Sequence, residues 1–264
     1  MFDRFGMALF AGIAGLLSVI VGWLVTARLF ALARKTRAVP EQLLAVAFGG
    51  LFCVGYPMAG ASRAPGLEMT NEGALLFAIG AIGMIVGASA LGRFPYVVFR
   101  PGNRWAALLS FVLAALGVVG GIGCAVSVMA ATTREAMIAN IQSWALALMI
   151  SILAIYAWNA FESFRYYRIM KRREKLGLAN AETTHRFLLW AIASACSVLS
   201  IGSIAAIRAT GVPILSSLPM SILSSTTLVT TTCWWLAFFM PDAYRRRVLG
   251  VDPEDAADEN ADAA

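Results

Sequence analysis

Charge and histidine are both scarce in this chain. Of its 264 residues only 14% are charged, 59% belong to the hydrophobic class, and His185 is the one histidine. A soluble domain carries about 25% charged residues. That deficit excludes a large soluble catalytic or nucleic-acid-binding domain and points to a chain used almost entirely in crossing a membrane. One histidine cannot supply the axial ligands of a membrane cytochrome or the ligand cluster of a membrane zinc hydrolase. A Ser–His intramembrane protease needs its histidine at depth beside a serine, and His185 stands at the start of an apolar run. The predicted mid-membrane segments hold no Asp, Glu, Lys or Arg, which argues against a proton relay. Cys53, Cys124, Cys196 and Cys233 fall in four different apolar runs with no CxxC, so they read as small buried residues without a redox role. The expectation is a protein that is not an enzyme, with no catalytic residues, no cofactor and no metal.

Long hydrophobic runs are what the chain has instead. Seven of them mark spans at 7–29, 42–62, 73–92, 105–130, 141–164, 187–208 and 219–240. Each is long enough to cross a hydrocarbon core about 30 Å thick. The expected fold is an all-α membrane protein, a seven-transmembrane helix bundle over residues 1–250. The first run lacks the basic flank and short apolar region of a cleaved leader, so it is read as an uncleaved helix. The tail 251–264 holds six acidic residues and no basic one, and is expected to be a disordered cytoplasmic segment. Removing its six negative charges from the net +6 leaves the rest of the chain near +12.

Those basic residues alternate between loops. Arg28, Arg34, Lys35 and Arg37, then Arg93, Arg100 and Arg104, then the seven from Arg165 to Arg186, then Arg245 to Arg247 fall on one side. They make seventeen of the twenty-one. Arg4, Arg63, Arg134 and Arg208 fall on the other. By the positive-inside rule the N-terminus lies outside and the C-terminus in the cytoplasm. Basic loops beside anionic lipid account for the charge, so no nucleic-acid partner is expected.

Local signals refine the spans. Tyr56-Pro57 is expected to kink the second helix. Gly83 with Gly87, and Gly117 with Gly121, form GxxxG pairs, suited to close packing within the bundle or to a homo-oligomer face. The segment from Arg93 to Arg104 reads as a headgroup-contacting loop or a docking surface. The fifth helix runs without proline or glycine from about 141 to 175, well past the membrane. Gly177 suits its end, and Asn180 or Thr183 can cap the next. Pro219 fits the first turn of the seventh helix, with Ser217 as its cap, and Pro241 stops it.

Two groups of residues are candidates for function. Helices six and seven carry hydroxyls at close spacing, and Ser197, Ser200, Ser224, Thr227 and Thr231, with Arg208 at the mouth, could line a ligand cavity. Helix packing through the same hydroxyls is the alternative. At the other end Glu162, Arg165 and Tyr166, with Arg93 or Arg186 as partners, could form a cytoplasmic latch or docking element. An anchor that fixes the helix at the interface is the plainer account.

The run Trp158-x3-Glu162-x3-Tyr166-Tyr167, followed by Leu176-Gly177-Leu178-Ala179 and Phe187-Leu188-Leu189-Trp190, resembles a pattern in uncharacterised bacterial seven-helix integral membrane proteins. The resemblance covers about 35 residues and implies a multi-pass location in the bacterial inner membrane, with no activity attached. Seven helices with an outside N-terminus also resemble rhodopsins and G-protein-coupled receptors, in topology alone. The only lysines are Lys35, Lys171 and Lys175, none in the last helix, so a retinal Schiff base is excluded. The expected function is a sensory or receptor-like signalling component working through a separate cytoplasmic protein partner. The second expectation is a transporter or channel for a neutral or weakly polar solute, and the third a structural subunit of a larger complex.

Overall fold

The structure, a computed structural model, describes residues 2–67, 69–210 and 217–250. Those residues are mostly helical and contain no strand. The helices are α1 (Phe2–Thr36), α2 (Val39–Phe48), α3 (Tyr56–Ala61), α4 (Asn71–Phe99), α5 (Arg104–Met129), α6 (Arg134–Glu174), α7 (Ala181–Thr210), α8 (Ser217–Phe239) and the single turn α9 (Asp242–Tyr244). Seven spans among the described residues are long and apolar enough to cross a membrane, α2 and α3 counting as one with the π-helical segment between them. The molecule is a helical bundle consistent with a multi-pass membrane protein. The acidic tail lies outside the described residues.

Each span packs against its neighbours in sequence, α8 closes back on α1, and α4 also touches α6. Apolar side chains face outward as well as inward. Phe111 is 71% exposed and Leu108 63%, a pattern suited to lipid, where burial between helices gives little drive for association. Small residues supply the contact. A Cβ on Gly50 would stand 2.7 Å from the Gly83 carbonyl oxygen and from the Gly87 amide, and one on Gly80 2.7 Å from the Ala59 amide. A Cβ on Gly120 would stand 2.6 Å from the Leu148 amide. Both GxxxG pairs are thus occupied inside the bundle, Gly83 and Gly87 against the second span, Gly117 against Ser151 and Gly121 against Ile85.

Three elements differ from the sequence reading. α4 runs on through a buried Pro95 to Phe99, so most of the expected Arg93–Arg104 loop is helix and only 100–103 connects. α6 starts at Arg134 rather than 141 because Thr133 caps it, its side chain accepting from the Ala136 amide. Its 41 residues span about 60 Å. At its far end Gly177 adopts φ 71°, and the Leu178 amide donates to the Arg173 carbonyl at 2.9 Å, a left-handed cap. Asn180, not Thr183, caps α7, its Oδ1 accepting from the Glu182 amide at 2.7 Å. The side chain of Ser217 lies outside the described residues.

The third difference is the break in the second span. Residues Gly49–Gly55 form a π-helical segment between α2 and α3. Pro57 has no N–H, and in an α-helix its ring would collide with the Cys53 carbonyl. A widened turn relieves that collision, and the Tyr56 amide reaches back to the Leu51 carbonyl. The next bond in that register would run from residue 57 to Phe52, and proline cannot donate it. The Phe52 carbonyl is satisfied from another helix instead, by the Trp23 indole at 2.7 Å.

Candidate functional site

The π segment brings the buried Phe52 and the 41% exposed Tyr56 to one pocket. There they meet Tyr156 of α6, Ser197, Ser200 and Ile201 of α7, and Thr227, Thr230 and Trp234 of α8, with Ser18 of α1 closing the ring. These residues line a partly open pocket of about 190 Å³. Its floor is aromatic, with Phe52 and Trp234 edge to face at 5.0 Å and Phe48 against Trp234 at 5.1 Å. Its walls are hydroxyls and phenols.

Of the residues expected to line a ligand cavity, Ser197, Ser200 and Thr227 do so. Ser224 and Thr231 are buried and lie away from it. The Thr231 hydroxyl has no hydrogen-bond partner among the described residues. The side chain of Arg208 lies outside the described residues. Hydroxyls of this pair of helices also bond to their own backbone and across to the facing helix. The Ala193 carbonyl accepts from Ser197 at 3.0 Å and from Thr230 at 3.4 Å, and Ser200 bonds to Thr226. The same stripe therefore packs α7 on α8 and lines the cavity. Phe52, Tyr56 and Tyr156 were missed by sequence reasoning. The one signal for them was the glycine-rich GGLFCVGYP run, where a helix break re-aims side chains.

At the basic end of the bundle Glu162 is 1% exposed. Its Oε1 accepts from Arg100 Nε at 2.8 Å, and its Oε2 lies 3.4 Å from an Arg165 terminal nitrogen. Arg100 comes from the short α4–α5 connection, and its guanidinium also covers the Trp105 ring at 5.5 Å. The latch thus ties α6 to the α4–α5 turn, not to α7. The candidate partners are engaged elsewhere, Arg186 with Glu182 at 2.5 Å and Arg93 over the Tyr96 ring at 5.7 Å. Tyr166 packs between Phe99 and Phe187, at 5.4 and 4.7 Å. The sequence places Arg100 in a headgroup-contacting or docking segment and not beside Glu162, because a partner 62 residues away leaves no spacing signal.

A second anchor joins α7 to the segment after α8. Glu182 also accepts from Arg245 at 3.2 Å, and His185 Nε2 meets the Tyr244 hydroxyl at 2.7 Å. Burial, with a smaller contribution from Cys233, holds the Tyr244 phenol above its ordinary range, so it is protonated at neutral pH. Beside Glu162, Asn159 donates to the carbonyls of Leu91 and Ile155 at 3.3 and 2.9 Å. Among the described residues no three His, Cys, Asp or Glu side chains are grouped to hold a metal ion. The arrangement can hold a small uncharged molecule in the aromatic and hydroxyl cavity. Comparison with protein-family models, curated proteins and solved structures finds no match to this chain.

Proposed function

We propose that this protein is a receptor-like component of the bacterial inner membrane, and that its intramembrane cavity takes a small uncharged polar ligand. The observation that carries this reading is the placement of a neutral, hydroxyl-lined cavity against the π segment of the second span. π segments recur at functional sites. A ligand seated on Phe52 and Tyr56 would bias a stretch whose Phe52 carbonyl is bonded by a side chain from another helix. In this reading the N-terminus is outside and the basic end is cytoplasmic. The Glu162–Arg100 pair and the far end of α6 then couple the bundle to a separate cytoplasmic protein partner.

The test is thermal unfolding of the purified full chain in detergent against a panel of small alcohols, amides and polyols. A ligand is expected to raise the unfolding temperature of the wild type and to have no effect on Thr227→Trp, whose indole fills the cavity. Equal stabilisation of both proteins would overturn the reading. Binding of a cytoplasmic partner is expected to be lost on deletion of residues 165–176, and unchanged binding would remove the docking role.

The cavity hydroxyls also favour a second reading, a transporter or channel for a neutral solute. Flux of a cavity ligand through reconstituted liposomes, lost in Thr227→Trp, would select it.

A further inference from the structure

The end of α6 carries an uncovered basic stripe. Arg165, Arg168, Arg172 and Lys175 recur at i, i+3, i+7 and i+10, and all four are exposed. Lys175 is the C-cap and keeps helical dihedrals, φ −61° and ψ −20°. At 3.6 residues per turn the four side chains fall within about 80° of one another. Neighbouring cations are engaged, Lys171 with Glu174, and Arg186 and Arg245 with Glu182. Arg165 touches Glu162 at 3.4 Å. Among the described residues, Arg168, Arg172 and Lys175 have no carboxylate within ion-pair distance. Like charges along one helix face repel, so the stripe suits an anionic occupant.

The chain holds a segment of matching charge and period. The sequence DPEDAADENADAA starts at Asp252, outside the described residues. Asp255, Asp258, Glu259 and Asp262 recur at i, i+3, i+4 and i+7, the spacing of one helix face. Asp252 and Pro253 suit an N-cap and a first helical position. Glu254 and Asp255 suit the first turn, and alanine fills much of the remainder. A helix this short is marginal alone in water, so it needs a surface to form on. The segment also starts beside the stripe. Arg245 bonds to Glu182 in the first turn of α7 at 3.2 Å, next to the turn that follows Lys175. Five extended residues from Gly250 reach about 17 Å, and the tether raises the effective concentration of the segment.

We infer that residues 252–262 dock on this stripe as a short helix, acidic face against basic face. The segment covers the cations of α6 until a stronger anion displaces it. The contact does not depend on the reading given to the hydroxyl-lined pocket.

The test is carbodiimide cross-linking of the full chain in phosphatidylcholine vesicles, where no anionic lipid competes, with the linked peptides mapped by mass spectrometry. Lys35, Lys171 and Lys175 are the only lysines. Cross-links from Lys175 to the carboxylates of 255–262 are expected, about fivefold above those from Lys35. Arg168→Gln combined with Arg172→Gln leaves Lys175 in place and should reduce them by about fivefold. Ala257→Pro breaks the segment's helix and should reduce them by about the same factor. In an equal mixture of light and heavy isotope-labelled chains the links should join residues of one chain. Wild-type cross-linking in either variant, Lys35 matching Lys175, or light-to-heavy links as frequent as same-chain links would overturn the proposal. Absence of links to 255–262 would also overturn it, and shielding of Lys175 from acetylation only by added phosphatidylglycerol would then give the stripe to lipid headgroups.

Discussion

Glu162 illustrates how much one buried charge can dictate. A carboxylate that is 1% exposed must be paired or neutral, and Arg100 pairs it with the better geometry of its two arginines. Removing one partner of a buried pair strands the other, at about 3–5 kcal/mol. Arg100→Ala is therefore expected to lower the thermal unfolding midpoint in detergent far more than Arg165→Ala. The Arg165 side chain is 48% exposed and its contact is longer, 3.4 Å, so its loss should cost about 1 kcal/mol or less. A double-mutant cycle should give the Arg100–Glu162 pair the larger coupling. Equal midpoints for the two alanine variants would sink this ranking. Sequence spacing puts Arg165, three residues along the helix, within reach and leaves Arg93 and Arg186 equally open. The structure favours Arg100, which reaches from the short α4–α5 turn to donate its Nε–H to Glu162 Oε1.

At the scale of elements, the second span is a helix repaired from outside. Its proline orphans the Phe52 carbonyl, and Trp23 supplies the missing donor. Trp23→Phe keeps the aromatic bulk and removes that donor. An unsatisfied buried carbonyl costs about 1–3 kcal/mol, and the loss is measurable as a lower unfolding midpoint. Wild-type stability in Trp23→Phe would mean that the bond contributes nothing. Glycine contacts make a paired prediction. Gly50→Ala forces its Cβ onto the α4 backbone and should destabilise by about 1–3 kcal/mol. Gly202→Ala meets nothing within 4 Å, and its helix interior should gain up to about 1 kcal/mol. Opposite shifts in midpoint are expected from these two changes of one methyl group. The glycines themselves were legible in the sequence. Their partners were not, since GxxxG is as suited to another chain as to a neighbouring helix.

For the molecule as a whole, the distribution of arginine and lysine sets the expected orientation. In a background with Cys53, Cys124, Cys196 and Cys233 replaced by alanine, Pro65→Cys and Leu178→Cys place single thiols in loops at opposite ends. Both positions are exposed and lie outside the helices. A membrane-impermeant maleimide should label the first in intact cells and the second only after permeabilisation. The reverse pattern would invert the topology. The seven spans were legible because each apolar run is bounded by charge or a helix-ending residue. Helix extensions beyond the apolar runs were less legible. α4 and α6 continue past theirs, one through Pro95 and the other from a cap at Thr133.

The sequence by itself determined that this protein is a bundle of apolar helices, how many spans it has, and which loops carry the positive charge. Those properties depend on composition and on the length of chain needed to satisfy every backbone group across a hydrocarbon layer. Only the tertiary structure decided which hydroxyls face a cavity and which only join α7 to α8. It alone showed that the second span widens before Pro57 and that Arg100 reaches Glu162. These depend on contacts between residues far apart in the chain, where neither helical period nor spacing carries a signal.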